Sequence, residues 1–477
     1  MTSSDEIQQS RTAAPPIAPA RRHHLAVELT ETLKLAVPIA LTQLGQIAMM
    51  TTDLALVGRL GDAAVAAAAL ASTVYFVSFT FGMGLVSAVA PLAAQAFGAR
   101  DPRRVRRSLR VGLWAALLIS LPMMVLPLFG EHILLALGQA PATSRLAQHY
   151  LRGLAWGITP GLWYLAIRGF MGAVNRPEPG LWITLAAIPA NAVLVYLLIH
   201  GGLGLPRLEL FGAGLATTMV NFGMFLAGIW FTYARRPFRK YQVLGRFWRI
   251  DWRLMRQLII IGAPISLAFL MEYGLFGAAA LLMGLIGTTA LAAHQIALQV
   301  TAILFMVPFG IGIAATVRVG HAVGRNDASA VKRAGFVAVL LGIVLVSALT
   351  LIVILTRFAI ARLFFGEAAE SAGPVIELTA TLLMVGATFF VADGIQTVAA
   401  GALRGMSDTR VPLLFAAIGY WLIGFTAAYM LAFHTELGAV GVWIGLSCGT
   451  AVYAVLLVLR FRLLARHLQF AHGKERR

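Results

Sequence analysis

Read as apolar against polar positions, the chain is a succession of about twelve long apolar runs, approximately 33–58, 64–92, 108–130, 146–172, 180–201, 210–233, 256–284, 288–313, 334–356, 374–404, 411–433 and 438–463. A bilayer core of ~30 Å needs about twenty residues per helix, which these lengths meet. Spanning strands would instead alternate over segments of about ten residues, whereas these runs are apolar on every face. The pattern predicts an all-α membrane protein of twelve transmembrane helices.

Composition strengthens this, with 59% of the 477 residues hydrophobic and only 12% charged, far from a soluble domain. The net charge of +18 would fit a nucleic-acid binder only if the basic residues formed one soluble patch. They fall in alternate loops: Arg103 to Arg110, Arg176, Arg235 to Arg249, Arg325 to Arg333, and Arg410, with both tails basic as well. The positive-inside rule then places both termini and these loops in the cytoplasm of a cell (inner) membrane, and no nucleic acid is expected as a partner. The single cysteine, Cys448, forms no intrachain disulfide.

The chain repeats itself. A shift of 226 residues lays Pro38 on Pro264, Gly61 on Gly287, Gly84 on Gly310, Gly98 on Gly324 and Asp101 on Asp327. Further on, a shift of 233 pairs Gly172 with Gly405, Asn175 with Asp408 and Pro179 with Pro412. Six helices per half is an even number, so both halves enter from the same side and form a parallel repeat about an axis along the membrane normal, one of the secondary-transporter plans. The predicted units are a disordered tail 1–30, a first lobe 31–234, a basic linker 235–255, a second lobe 256–464 and a basic tail 465–477.

Three acids interrupt the hydrocarbon: Asp53, Glu272 and Asp393. An ionised acid at mid-bilayer costs at least ~2.5 kcal/mol, so it must be paired, protonated or wet. None has a basic residue three or four positions away. Their repeat equivalents are Ala279, Gln46 and Pro160, so the acids lie outside the duplicated scaffold. Such groups couple transport to ions: the charge attracts a cation or proton, and neutralisation releases it. Na⁺ and H⁺ both fit, with Asp53, Glu272 and Asp393 as candidate Na⁺ ligands and no covalent cofactor expected. His294 and Gln295 are further intramembrane polar candidates. Tyr273, Phe276, Phe389 and Phe390 lie near the acids in sequence and are candidate walls of a substrate cavity.

The stretches LALVGRLG after Asp53, PLAAQAFGARD from Pro91, AAHQIALQ from Ala292 and AAGALRGMSDTRVP from Ala399 resemble the multidrug and toxic compound extrusion family, over all but the tails. The resemblance implies two six-helix bundles around a V-shaped cavity, and export of amphipathic organic cations, drugs or toxic metabolites, against Na⁺ or H⁺. Within the family the chain looks like the sodium-type bacterial branch. The resemblance also implies that Asn191 and Thr217 support Asp53. It puts Val195 where many members have a further oxygen ligand, and Phe389 where many have a tyrosine. A monomer in the lipid bilayer is expected.

No Walker loop, metal-ligand spacing or nucleophile–base grouping appears in the sequence, so neither ATP nor an enzymatic site is indicated. Two rival readings remain, a lipid-linked oligosaccharide flippase of related fold and a membrane-embedded lipid-modifying enzyme.

Overall fold

The computed structural model describes residues 20–475. Its helices are α1 (Ala20–Gly58), α2 (Asp62–Val86), α3 (Val89–Gly98), α4 (Pro102–Leu128), α5 (Gly130–Ala136), α6 (Pro141–Ala155), α7 (Ile158–Ala173), α8 (Glu178–His200) and α9 (Glu209–Ala234) in the first lobe. The second lobe has α10 (Trp252–Ile286), α11 (Thr288–Gly324), α12 (Ala328–Phe365), α13 (Gly373–Gly405), α14 (Arg410–Ala416), a π-helical stretch Ala417–Phe425, α15 (Thr426–Phe433) and α16 (Ala439–Glu475). Eleven helical stretches among the described residues are long and apolar enough to cross a bilayer. The twelfth predicted crossing is α6 and α7, each short by itself and joined through Trp156 and Gly157, whose backbones stay near helical values.

Two tail boundaries are corrected. Residues 20–30 belong to α1 and residues 465–475 to α16. Residues 1–19 of the predicted tail lie outside the described residues. The linker packs against the first lobe. Phe238 and Tyr241 are buried against Phe170, with ring centroids 5.9 and 5.6 Å away. Arg110 and Trp114 of α4 donate to the carbonyls of Gly245 and Phe247 at 2.5 and 2.9 Å.

The repeat is visible in the backbone. Asp101 and Asp327 each cap the following helix, accepting from Arg104 N and Ala330 N at 3.0 Å. Arg100 and Asn326 take φ of 57° and 55° just before them. At the next matched turn, Asn175 and Ser407 both take φ of 62°. Arg176 N bonds Met171 O as Asp408 N bonds Leu403 O. That turn matches at a shift of 232, from 175 to 407, and not at the 233 that the matching glycine and asparagine/aspartate letters indicated. Turn geometry fixes the register there because a left-handed residue is costly anywhere else.

The lobes meet through contacts that obey the same two-fold relation. A Cβ on Gly84 would lie 2.6 Å from Ser266 N, and one on Gly310 would lie 2.8 Å from Ala40 N. Nearer the basic loops, a Cβ on Gly98 would collide with His321 O and one on Gly324 with Gln95 O. Gln95 Nε2 donates to Gly405 O at 2.9 Å, while His321 Nε2 lies 2.6 Å from Ala173 O and must donate, since a carbonyl only accepts. Close glycine approaches and reciprocated hydrogen bonds thus seal the end of the bundle that carries the basic loops.

Candidate functional site

The first lobe gathers one polar cluster. Asp53 near the end of α1 accepts a hydrogen bond from Asn191 Nδ2 of α8, and Thr217 of α9 donates to its other oxygen at 3.3 Å. These three residues come together as the resemblance implied. Asn191 is fully buried and its Oδ1 has no partner among the described residues. A half-turn of the amide would present that oxygen to a cation held by Asp53. Val195, one turn on, is buried in an apolar cluster with Val57 and Leu151 and offers no oxygen. Gln46 is half-buried two turns before Asp53, on the same face of α1.

The second lobe gathers a different and larger set. A cavity of about 20 Å³ is walled by Glu272 of α10, Gln396, Thr397 and Arg404 of α13, Tyr420 of the π-helical stretch and Tyr453 of α16. Behind it Asp393 is buried and accepts from Gln396 Nε2 at 2.9 Å, so Gln396 links the two acids' surroundings. Thr397 donates to Asp393 O at 2.7 Å and accepts from Gln396 at 3.1 Å. The two tyrosines arrive by close packing: a Cβ on Gly419 would lie 2.7 Å from Tyr453 Cβ and 2.9 Å from Gly449 O. The π-helical stretch can therefore lie directly on α16, and its wider turn sets Tyr420 against Tyr453 with ring centroids 4.9 Å apart.

Other candidates lie elsewhere. Phe389 and Phe390, expected on a cavity wall, are 1% and 3% exposed and pack edge-on against Trp443 in the second lobe's core. Their spacing from Asp393 put them near the acid, but the large apolar rings went to the bundle interior. Phe276 joins this group, 6.0 Å from Phe389. Tyr273 faces the first lobe, 5.0 Å from Phe76 of α2. His294 is buried and its Nδ1 accepts from Trp443 Nε1 at 3.1 Å, which leaves the proton on Nε2. Gln295 is exposed and does not share that environment.

Arg404, Tyr420, Tyr453, Gln396 and Thr397 were not singled out as partners of Glu272 by sequence reasoning. Their one legible trace is the run of small residues Gly445 and Gly449, four apart on α16, which marks a face built for close helix approach.

Two parallel six-helix lobes that carry intramembrane acids and close at one end define a multi-pass membrane transporter of the repeat type. Known proteins agree. The MatE family model matches residues 38–197 and 264–430, two segments whose starts differ by the same 226 residues as the repeat. The chain belongs to the MatE family. It is 68% identical to a Bradyrhizobium diazoefficiens protein named "Probable multidrug resistance protein NorM", over 98% of this chain and all of that one. A Rhodopseudomonas palustris protein of the same name is 63% identical over 96% of both chains. Among solved structures, a eukaryotic MATE transporter aligns with a TM-score of 0.83 at 21% identity, covering 94% of this chain and 99% of that one. At such identity the match shows the shared fold.

Proposed function

We propose that this multidrug efflux transporter exports amphipathic organic cations in exchange for Na⁺ or H⁺, with Asp53, Glu272 and Asp393 as the coupling groups. It works as a monomer in the inner membrane, with the basic loops and both termini on the cytoplasmic side, as the positive-inside rule favours. The sealed state described above is then closed to the cytoplasm.

The observation that carries this reading is the space at Glu272. About 20 Å³ is room for one water or one dehydrated cation, whose minimum is ~10–15 Å³, and far too little for a drug. The acid therefore meets an ion, while the drug is held elsewhere between the lobes. The first-lobe cluster supports the same chemistry. Two carboxylate oxygens, the Thr217 hydroxyl and the orphaned Asn191 Oδ1 are hard oxygen donors suited to a small cation. A proton would satisfy Asp53 as well, and Na⁺ and H⁺ are separated by experiment.

Purified protein in vesicles is given an inward Na⁺ or pH gradient and ethidium export is followed. Asp53→Asn, Glu272→Gln and Asp393→Asn should each reduce gradient-driven export by about ten-fold or more. If all three variants export ethidium like wild type under both gradients, the coupling assignment is wrong.

A further inference from the structure

An open hollow of about 430 Å³ lies where three basic segments converge: Arg100 of the turn between α3 and α4, Lys240 of the linker and Arg325 at the end of α11 all wall it. No residue of the Glu272 pocket or of the Asp53 cluster borders it. The seam itself brings the two arginines together. A Cβ on Gly324 would lie 2.8 Å from Ala99 N, so Arg325 and Arg100, the next residue of each segment, come from opposite lobes to one place. Lys240 is steadied by its neighbour: it sits over the Tyr241 ring at 5.1 Å, and that ring is buried against Phe170.

Three cations share the hollow with one acid, Asp101. That acid is engaged as a helix cap, its Oδ1 accepting from Arg104 N at 3.0 Å. Among the described residues none of the three cations forms an ion pair, and all three are exposed. The shift of 226 carries Arg100 to Asn326 and lays Arg325 on Ala99. The paired arginines are therefore an addition to one side of the duplicated scaffold, as the intramembrane acids are. Much of the remaining wall is apolar, formed by Phe97, Val105 and the Tyr241 ring. Guanidiniums hold a phosphate in a two-pronged geometry, and apolar walls beside them suit an amphiphile, whereas a hydrated inorganic ion gains nothing from such walls. Basic pockets between membrane helices take anionic headgroups for the same reason.

We propose that Arg100, Lys240 and Arg325 form a binding site for the phosphate of an anionic phospholipid, seated across the seam between the lobes. Because its two arginines belong to opposite lobes, the headgroup ties those lobes together and favours the arrangement in which this end is sealed. When the lobes part here, Arg100 and Arg325 separate and the phosphate loses its two-sided grip.

Full-length protein in detergent micelles is titrated with phosphatidylglycerol or with zwitterionic phosphatidylcholine, and retained lipid is counted by native mass spectrometry. Wild type should retain one phosphatidylglycerol in preference to phosphatidylcholine. Arg100→Gln and Arg325→Gln should each weaken that retention about five-fold, the loss for one cation at a lipid phosphate, and the two together about twenty-five-fold. If an arginine variant does not fold, Lys240→Gln is read in the same way. Arg103→Gln, which changes an exposed cation of the same loop that does not border the hollow, should leave retention unchanged. Thermal unfolding gives a second readout: phosphatidylglycerol should raise the unfolding temperature of wild type and not that of the double variant. Equal retention of both lipids by wild type, or the same loss in Arg103→Gln as in Arg325→Gln, reduces the effect to general surface attraction and overturns the proposal. Displacement of the lipid by an equal concentration of soluble glycerol phosphate would show that a water-soluble ester suffices, and overturns the lipid assignment.

Discussion

The two lobes share a backbone and differ in chemistry, and the seam between them shows the difference most clearly. A shift of 226 carries Glu28 to Leu254 and Leu92 to Arg318. On one side of the two-fold axis Glu28 of α1 and Arg318 of α11 form a two-pronged ion pair at 2.8 and 2.9 Å, each side chain only 11% exposed. On the other side Leu92 and Leu254 are buried in one apolar cluster. The same backbone relation thus accepts either solution, so the scaffold is set by glycine contacts and reciprocal hydrogen bonds, and side-chain chemistry is free to diverge. The acids follow that rule. Asp53 has an alanine for its counterpart, and Glu272 a glutamine.

The largest predicted effect comes from forcing the two sides of the seam to match. Arg318→Met leaves Glu28 buried and unpaired and should destabilise the protein by about 3–5 kcal/mol, read as thermal unfolding in detergent. Replacing both partners, Glu28→Leu with Arg318→Leu, recreates the apolar arrangement of the other side and should recover most of that loss. A double variant as unstable as the single one would show that the two sides are not equivalent. The recovery should carry a functional cost. When the lobes part at this end, an ion pair separates into water with each charge rehydrated, whereas leucines would expose apolar surface. The double variant should therefore favour the closed arrangement.

The shared part of the comparison is tested at the glycines. Gly98 and Gly324 meet the carbonyl oxygens of residues 321 and 95, which are themselves matched. Gly98→Ala and Gly324→Ala should each cost about 1–3 kcal/mol, by overpacking against backbone that cannot rotate away. Because the contacts are two-fold related, the two costs should agree. A large loss at one position and none at the other would break the symmetry argument.

How much of this was legible in the sequence follows from what the bilayer enforces. Spans, repeat and intramembrane acids were legible because hydrocarbon penalises every unsatisfied backbone group and every charge, which leaves long apolar runs and makes the exceptions stand out. The company of Glu272 was not. Tyr420 and Tyr453 reach Glu272 from segments 148 and 181 positions away, brought in by glycine faces and a π-helical turn that leave little trace in an apolar run. Phe389 and Phe390 misled for the opposite reason. Nearness in sequence to Asp393 says nothing about which face of α13 a ring occupies, and theirs turn to Trp443. The one-residue error in matching the second turn arose because identical letters were trusted over conformation.

The smallest predicted effect probes the symmetric caps. Asp101 and Asp327 make the same 3.0 Å bond to the third residue of the helix that follows, so Asp101→Ala and Asp327→Ala should each cost ~1 kcal/mol. The surroundings of Asp327 add something the first lobe does not record. Burial pushes its carboxyl up, but the Ala330 N–H, the Ser329 hydroxyl and Arg333 together outweigh burial and hold it below the ordinary carboxylate range. A lowered folded-state value means that the unfolded chain binds the proton more readily. The stabilisation from Asp327 is then full above the unfolded carboxylate value, near ~4, and drains away as pH falls through the lower folded one. Asp327→Ala should accordingly lose its destabilising effect in acid, with the gap to wild type narrowing below about pH 4. Ser329→Ala, which removes the 2.7 Å bond to the same oxygen, should shrink the pH-dependent part of that gap and raise the pH at which the narrowing is complete. A gap independent of pH would mean that the cap acts through its backbone conformation and not through its charge.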